Sequence, residues 1–464
     1  MLFKKLLLVG VFGIASFLTI DQASASSLSK TLIDRTSALI IPLQSKKLLD
    51  NPSLEPFVES GKGTFSLMYD QDSSVKGMGL RNVYIPHATP KQSLKDKELV
   101  CKRLIKASNS NNVKDLFTEY RPLSIFAADV RAVSIFSTAR LGYDVLRRDY
   151  IDMVNLTGND TVAKFYNSWK KDVAPLDLYP DDGVDANAYY TRTAKTREAH
   201  FFHFTSKVDK KNLIYTGDSS DIVGHEIWGH AHLDEMCPWF FDSESLELGG
   251  FHEGHADSVA LSVGLSISPN ARQTLLAETG GDLHKKQNFL SRLGEQFGAG
   301  FGIDSVRNLD VDAILGQVEQ EVHDIGRIWA SGIYDILAGA YPIAQKSLIG
   351  TKDEAHILDL CATYLRRLEN LAILSQTKKE PGLGDIASMM NQFAQQKTAL
   401  TGIKEIDTLS WGDFIKSEFT RRKIPTNGVQ GKMKLFDIAF SKKKVGLCGT
   451  VHNHLCKTLH EKKS

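Results

Sequence analysis

The chain has 464 residues, 42% of them apolar and 24% charged, an ordinary globular composition with enough apolar residues for a sizeable core. The formal charge is +1, a balance that argues against a nucleic-acid or polyanion binder. Residues 1–25 read as a cleavable export signal: Lys4 and Lys5, an apolar run from Leu6 to Ile20, then Ala23-Ser24-Ala25 ahead of Ser26. That run is short for a membrane anchor, and no other stretch is suited to spanning a bilayer. The expected location is secreted or periplasmic, with no membrane association after signal cleavage. Residues 26–124 carry no chemical motif and read either as an N-terminal domain or as a removable prosegment. Export permits disulfides. Of the five cysteines, Cys448 and Cys456 bracket a short loop and form the favoured pair; Cys237, just before Pro238, reads as a packing residue and not a ligand.

Arg131 to Tyr150 has helical periodicity. Asp172 to Asp185, rich in Pro, Asp and Gly, reads as a loop. The segments DANAYY, AHFFHF and NLIYTG that follow read as strands, with His200 and His203 as strand residues. Ser219, Ser220 and Asp221 supply N-cap chemistry for a helix expected to run to about Glu235. A second helix is expected from about Ser245 to Leu265.

The chemistry concentrates on these two helices. The first carries His225, Glu226 and His230; the second carries Glu253 and, one turn later, Asp257. Two histidines and a carboxylate make a three-ligand N/O set for catalytic zinc, which leaves a position open for water. Zinc lowers the pKa of that water, and a carboxylate beside the first histidine, Glu226, suits the general base. Asp257 and Asp234 are candidates to hold the ligand histidines in orientation. His252 and His255 fit that role and a plain structural role equally. The spacing is unusual. Histidines four apart lie about 40° apart around a regular helix, whereas His225 and His230, five apart, lie about 140° apart. A shared metal therefore requires a π-type distortion. It is expected at Ile227 to Gly229, where glycine resists least, with Trp228 as the inserted residue, turned out of register beside the substrate cleft.

Farther on, EVHDIGRIWASGIYDIL places His323 at the start of another helix, suited to stabilising an oxyanion across the cleft. HDIG also resembles the core of the HD-type phosphohydrolase motif, which needs further metal histidines; His284 and His356 are the nearest. From about Leu337 the chain reads as helical, over Ala355 to Lys378, Ile386 to Lys397 and Trp411 to Arg422. The basic tail from Lys442 reads as a solvated face, with His452, His454 and His460 as surface residues.

Taken in order, DIVGHEIWGHAHLD, GGFHEGHAD and EVHDIGRIWASGIY resemble the zinc helix, the ExxxD helix and the downstream histidine helix of the thermolysin-like and fungalysin-like gluzincin metallopeptidases. HEIWGH itself is similar to the HExxGH string of the dipeptidyl peptidase III family. The resemblance implies His225, His230 and Glu253 as zinc ligands, Glu226 as base and His323 as the transition-state donor. It also implies Asn187 and Ala188, in NAYY, and Arg307 as substrate-binding residues. The expected fold class is α+β: a gluzincin-type catalytic lobe with a small mixed sheet, and a mainly helical C-terminal lobe. The expected divisions are a signal (1–25), an N-terminal region (26–124), two catalytic lobes (125–240 and 241–345) and a helical extension (346–464). The expected function is Zn²⁺-dependent hydrolysis of peptide or protein substrates. The alternative is a catalytically inactive protein of the same fold that binds peptide or protein partners.

Overall fold

The computed structural model describes residues 64–76, 78–85, 96–105, 114–116, 127–172, 174–285 and 288–427, all within the contiguous unit Ser53–Ser464. The export signal, much of residues 26–124, the Cys448 and Cys456 pair and the basic tail with its three histidines lie outside the described residues. The fold is α+β. A hairpin of β1 (Thr64–Tyr69) and β2 (Leu80–Ile85) comes first. Strand β3 (Leu99–Cys101) follows, then a short antiparallel pair, β4 (Arg103–Ile105) and β5 (Lys114–Leu116). The predicted Arg131–Tyr150 helix lies inside a longer one, α1 (Ala127–Thr157), followed by α2 (Asp160–Asp172).

The strands β6 (Leu176–Tyr179), β7 (Ala188–Arg192) and β8 (Arg197–Phe201) then join β3 in a four-stranded sheet of order β3-β6-β8-β7. β3, β6 and β8 run parallel, while β7 is the antiparallel edge, with Ala188 opposite Phe201 and Tyr190 opposite Ala199. The sheet is thus small and mixed. Alternation along the strands separates two faces. Leu176, Leu178, Ala188, Tyr190, Ala199 and Phe201 are buried on one. Tyr179, His200 and Tyr189 stack on the other at 4.4 and 4.7 Å. His200 is held there by Asp182 and Glu198, and His203 by Asp181, so both act as strand residues with carboxylate partners. A second hairpin, β9 (His203–Thr205) with β10 (Leu213–Tyr215), leads to the next helix.

That helix, α3, covers residues 220–236 in three consecutive stretches: α-helical Ser220–Gly224, π-helical His225–Ala231 and α-helical His232–Met236. Ser219 occupies its N-cap position without capping it. The Ser219 hydroxyl donates to Asp221, whose carboxylate is drawn to the Gly294 N–H. A short turn, α4 (Pro238–Phe241), leads to α5 (Leu246–Ile267), which starts close to the expected Ser245; that residue is its N-cap and accepts from Leu248 N at 3.3 Å. α5 is buried along nearly all of its length, the pattern of a central helix. Then come α6 (Pro269–Thr279), β11 (Arg292–Leu293), α7 (Glu295–Ala299), β12 (Arg307–Asn308) and α8 (Val322–Leu348). The described chain ends with α9 (Glu354–Leu374), α10 (Leu383–Gln395), α11 (Lys404–Asp407) and α12 (Trp411–Arg421). Among the described residues no helix is long and apolar enough to cross a membrane.

Glycines set the spacing of the three central helices. A Cβ on Gly229 of α3 would lie 2.3 Å from Ala256 Cα of α5. One on Gly254 of α5 would lie 2.5 Å from Gly326 O of α8, and one on Gly326 would lie 2.6 Å from Glu253 Cβ. α5 therefore meets its neighbours nearly backbone to backbone. These contacts fix how far apart the side chains of His230, Glu253 and His323 can be.

Candidate metal centre

The π-helical stretch resolves the spacing problem. Where hydrogen bonds run i to i+5, residues five apart take the stacked positions that residues four apart hold in an α-helix. His225 and His230 accordingly face one another, with ring centroids 4.5 Å apart. The distortion is broader than the expected bulge at Ile227 to Gly229, extending from His225 through Ala231. Gly229 is needed there for its closeness to Ala256, at an ordinary helical φ.

Trp228 differs from expectation. It is 0% exposed and does not line the cleft. Its indole fills a slot where a Cβ on Gly142 of α1 would approach within 1.9 Å and one on Gly224 within 2.4 Å. The register shift turns the side chain toward α1 and into the core.

His225, His230 and Glu253 offer ligand atoms that all lie within 4.8 Å of one another. Glu253 Oε2 is 3.5 Å from His225 Nε2, and Oε1 is 3.5 Å from His230 Nε2. Both histidines use Nδ1 elsewhere, which leaves their Nε2 atoms directed at the carboxylate. His225 Nδ1 pairs with Asp257 Oδ1 at 2.7 Å, and His230 Nδ1 lies 2.6 Å from His252 Nδ1. Two imidazole nitrogens and a carboxylate oxygen, each oriented by a further contact, fit a three-ligand metal site.

The electrostatics follow from burial and neighbours. Burial pushes Glu253 up, but His323, His230 and His225 outweigh it and hold the carboxyl well below its ordinary value. Burial opposes charge on His225, yet Asp257 lifts its pKa to about 10. Burial holds His230 far below the usual histidine value. Glu226 is 5% exposed, and burial together with the Glu253 charge raises it to about 7. It accepts the backbone N–H of Tyr190 on β7, while its Oε2 has no protein partner.

His323 sits one residue into α8, with Nε2 3.5 Å from Glu253 Oε2. Its Nδ1 is held by Glu321 at 2.5 Å, and the same carboxylate caps α8 by accepting from the N–H groups of His323 and Asp324. Arg307 enters from the β11–β12 pair, where Leu293 faces Arg307. It donates to Glu253 Oε2 at 2.9 Å and lies 3.0 Å from Asp257 Oδ2, bridging Glu253 and the carboxylate behind His225. A cavity of about 50 Å³ opens beside these groups. His225, Glu226, Asp257 and Arg307 contribute its polar side; Ala188, Ile222, Leu293, Phe297 and Val306 contribute the apolar side.

The sequence-predicted residues divide clearly. His225, Glu226, His230, Glu253, Asp257, Arg307 and His323 are brought together, and Ala188 lines the cavity. Asn187 is buried next to Ala188, its carbonyl accepting the Thr216 hydroxyl. Asp234 takes other partners than the ligand histidines: Tyr190 donates to it at 2.6 Å and Arg192 Nε lies 2.9 Å away. It braces β7 against α3, because one turn beyond His230 the helix faces the sheet. His255 points to Glu369 in the core. The HD-type alternative finds no support in geometry: His284 pairs with Asp310, and His323 turns to Glu253. Cys237 is buried, and burial pushes its thiol up to about 12, as suits a packing residue.

Sequence reasoning missed two features and left the partner of a third residue open. Glu321 had a local signal, an acid two residues before His323 at a helix start. His252 adjoins Glu253, but nothing in the spacing told which histidine it would meet. The apolar wall comes from separate segments and leaves no linear pattern. No protein-family model matches the chain, and no curated protein matches it.

Proposed function

We propose that the chain is a zinc-dependent metallopeptidase of the gluzincin type, exported from the cell, that hydrolyses peptide bonds. The observation that carries this reading is the convergence of His225, His230 and Glu253, with Glu226 beside them at the cavity. Zinc is favoured among metals because the donor set is two imidazoles and one carboxylate. When bound, zinc supplies Lewis-acid polarisation and acidifies a water molecule to a pKa near 7.

The protein supplies the rest. Glu226 Oε2, buried and free of protein partners, takes a proton from the attacking water and passes it to the leaving amine. His323, fixed through Nδ1 by Glu321, presents Nε2 to the oxygen on which negative charge develops. Among the described residues the edge strand β7 has a strand neighbour on one side alone, and on its other side an extended peptide would add to the sheet beside Ala188. Arg307 closes one side of the cavity with a guanidinium, and the apolar wall takes a substrate side chain. Export rests on residues 1–25, outside the described residues.

An inserted residue that separated the two histidines would favour a non-catalytic relative; the π-helical stretch keeps them together, which supports the catalytic reading. The deciding experiment is digestion of casein and a peptide library with purified protein, with chelator, and after zinc is restored. Cleavage that chelator abolishes and zinc returns is expected. Zinc-loaded protein that binds peptides and cleaves none would favour the non-catalytic alternative.

A further inference from the structure

We propose that His252 is the positioning residue for His230, a partner able to hold it in either of two tautomers. The proposal rests on the metal-site reading above. The Nδ1 atoms of the two rings are 2.6 Å apart, so a proton must lie between them. The rings lie nearly parallel, 26° between planes, with centroids 4.8 Å apart. At the separation of the two Nδ1 atoms, one proton serves two nitrogens.

Two arrangements satisfy the pair. In one, His230 Nδ1–H donates to His252 Nδ1, and the lone pair of His230 Nε2 faces the metal position. In the other, His252 Nδ1–H donates to His230 Nδ1, and His230 Nε2–H faces Glu253 Oε1, 3.5 Å away. The first suits a loaded site and the second an empty one. An aspartate could only accept; a histidine exchanges donor and acceptor by a tautomer change, without a net change of charge on the pair. The far nitrogen leaves room for this: His252 Nε2 is buried with no hydrogen-bond partner, so neither tautomer breaks a bond there. The nearby ring is Phe241, edge-on at 5.8 Å.

The two metal histidines are thus supported by different chemistry. His225 leans on the Asp257 carboxylate, which is itself bound by Arg307. His230 leans on an imidazole instead of a carboxylate, which supplies orientation without a carboxylate's negative charge. This assigns His252 a role beyond packing and explains a polar ring buried beside Glu253.

The test is zinc affinity of the full chain, by chelator competition, for the wild type, His252→Leu and His252→Asn. Metal-free thermal unfolding and the visible spectrum of the Co²⁺-loaded forms accompany it. His252→Leu removes the partner and is expected to weaken zinc by roughly 10–100-fold and to alter the Co²⁺ bands. His252→Asn, whose amide can also donate or accept, is expected to restore most of the affinity and the wild-type spectrum. A leucine variant that binds zinc as tightly as wild type with an unchanged spectrum overturns the proposal. So does a folded asparagine variant as weak as a partnerless site, and this second comparison decides the matter if leucine prevents folding. A wild type that binds neither ion overturns the metal-site reading itself, and this proposal with it.

Discussion

Glu226 is a buried carboxyl with one oxygen on a backbone N–H and one directed at no protein donor. Such a group is retained for chemistry more readily than for stability, because an unpaired buried oxygen is unfavourable. Glu226→Gln should therefore keep the fold and the metal while turnover falls by about 10²–10⁴-fold. Metal content and peptide cleavage measured on one preparation check this; equal cleavage by the two forms would remove Glu226 as the base. His323→Ala should bind metal and lose about 10²–10³-fold in turnover, the scale of one oxyanion donor. Glu295, outside the metal site, makes a prediction about pH. It is 7% exposed, Arg292 Nε lies 3.9 Å from its Oε1, and burial with the charges of Asp221 and Asp72 outweighs that cation and lifts its pKa to about 10. Its folded-state pKa is raised, so between about pH 4.5 and 10 the folded chain binds a proton that the unfolded chain has released. Across that window stability falls as pH rises, on the order of 1 kcal/mol per pH unit from this group. Glu295→Gln removes the proton dependence. The variant should match wild type near pH 4 and be the more stable at pH 8 and 9, measured by thermal unfolding. A gap that fails to widen with pH would mean that Glu295 is ionised in the folded protein.

At the scale of elements, the long helices α1, α3, α5, α8, α9 and α10 and the strands β7 to β10 were legible from apolar residues that repeat at 3.6 or 2, whereas β6 lies within Asp172–Asp185, whose Pro, Asp and Gly read as a loop. The α3 distortion was legible too, since only a change of helical hydrogen bonding lets histidines five apart share a site. Its extent and the fate of Trp228 were not. These depend on α1, whose Gly142 lies 86 positions away in sequence and leaves the slot that the indole fills. Trp228→Ala should consequently destabilise the fold by about 3–5 kcal/mol, the scale for emptying a large aromatic site. Deleting Trp228 restores the common histidine spacing but also shifts every residue on one side of it against α1 and α5. The expected outcome is a misfolded or strongly destabilised chain, which thermal unfolding and circular dichroism detect. A deletion variant with wild-type stability would show that the π-helical stretch is dispensable.

The whole molecule assembles its candidate site from three separated stretches: α3, α5 and the chain from Arg307 to His323. The candidate ligands were readable from short motifs, but their partners were not, since Arg307–Asp257 and His230–His252 are contacts of the tertiary fold. A metal there would join α3 to α5 directly, and would reach α8 and the β11–β12 pair through the His323 and Arg307 contacts to Glu253. Unfolding must then release the ion, so zinc should stabilise the fold by about 4 kcal/mol when its free concentration is a thousandfold above Kd. The midpoint of thermal unfolding should rise by several degrees on adding zinc and fall back with chelator. Glu253→Ala discriminates between zinc at this site and zinc elsewhere. It removes one of three ligands and leaves His225, His323 and Arg307 without their shared carboxylate, so its metal-free midpoint will differ from wild type for reasons unrelated to zinc. The informative quantity is the zinc-induced shift within each protein. It should be large in wild type, preserved in Glu226→Gln and lost in Glu253→Ala. A shift of equal size in Glu253→Ala would place the stabilising ion elsewhere, and the group of exposed His284 with half-buried Asp310 and Asp335 would be the next site to mutate.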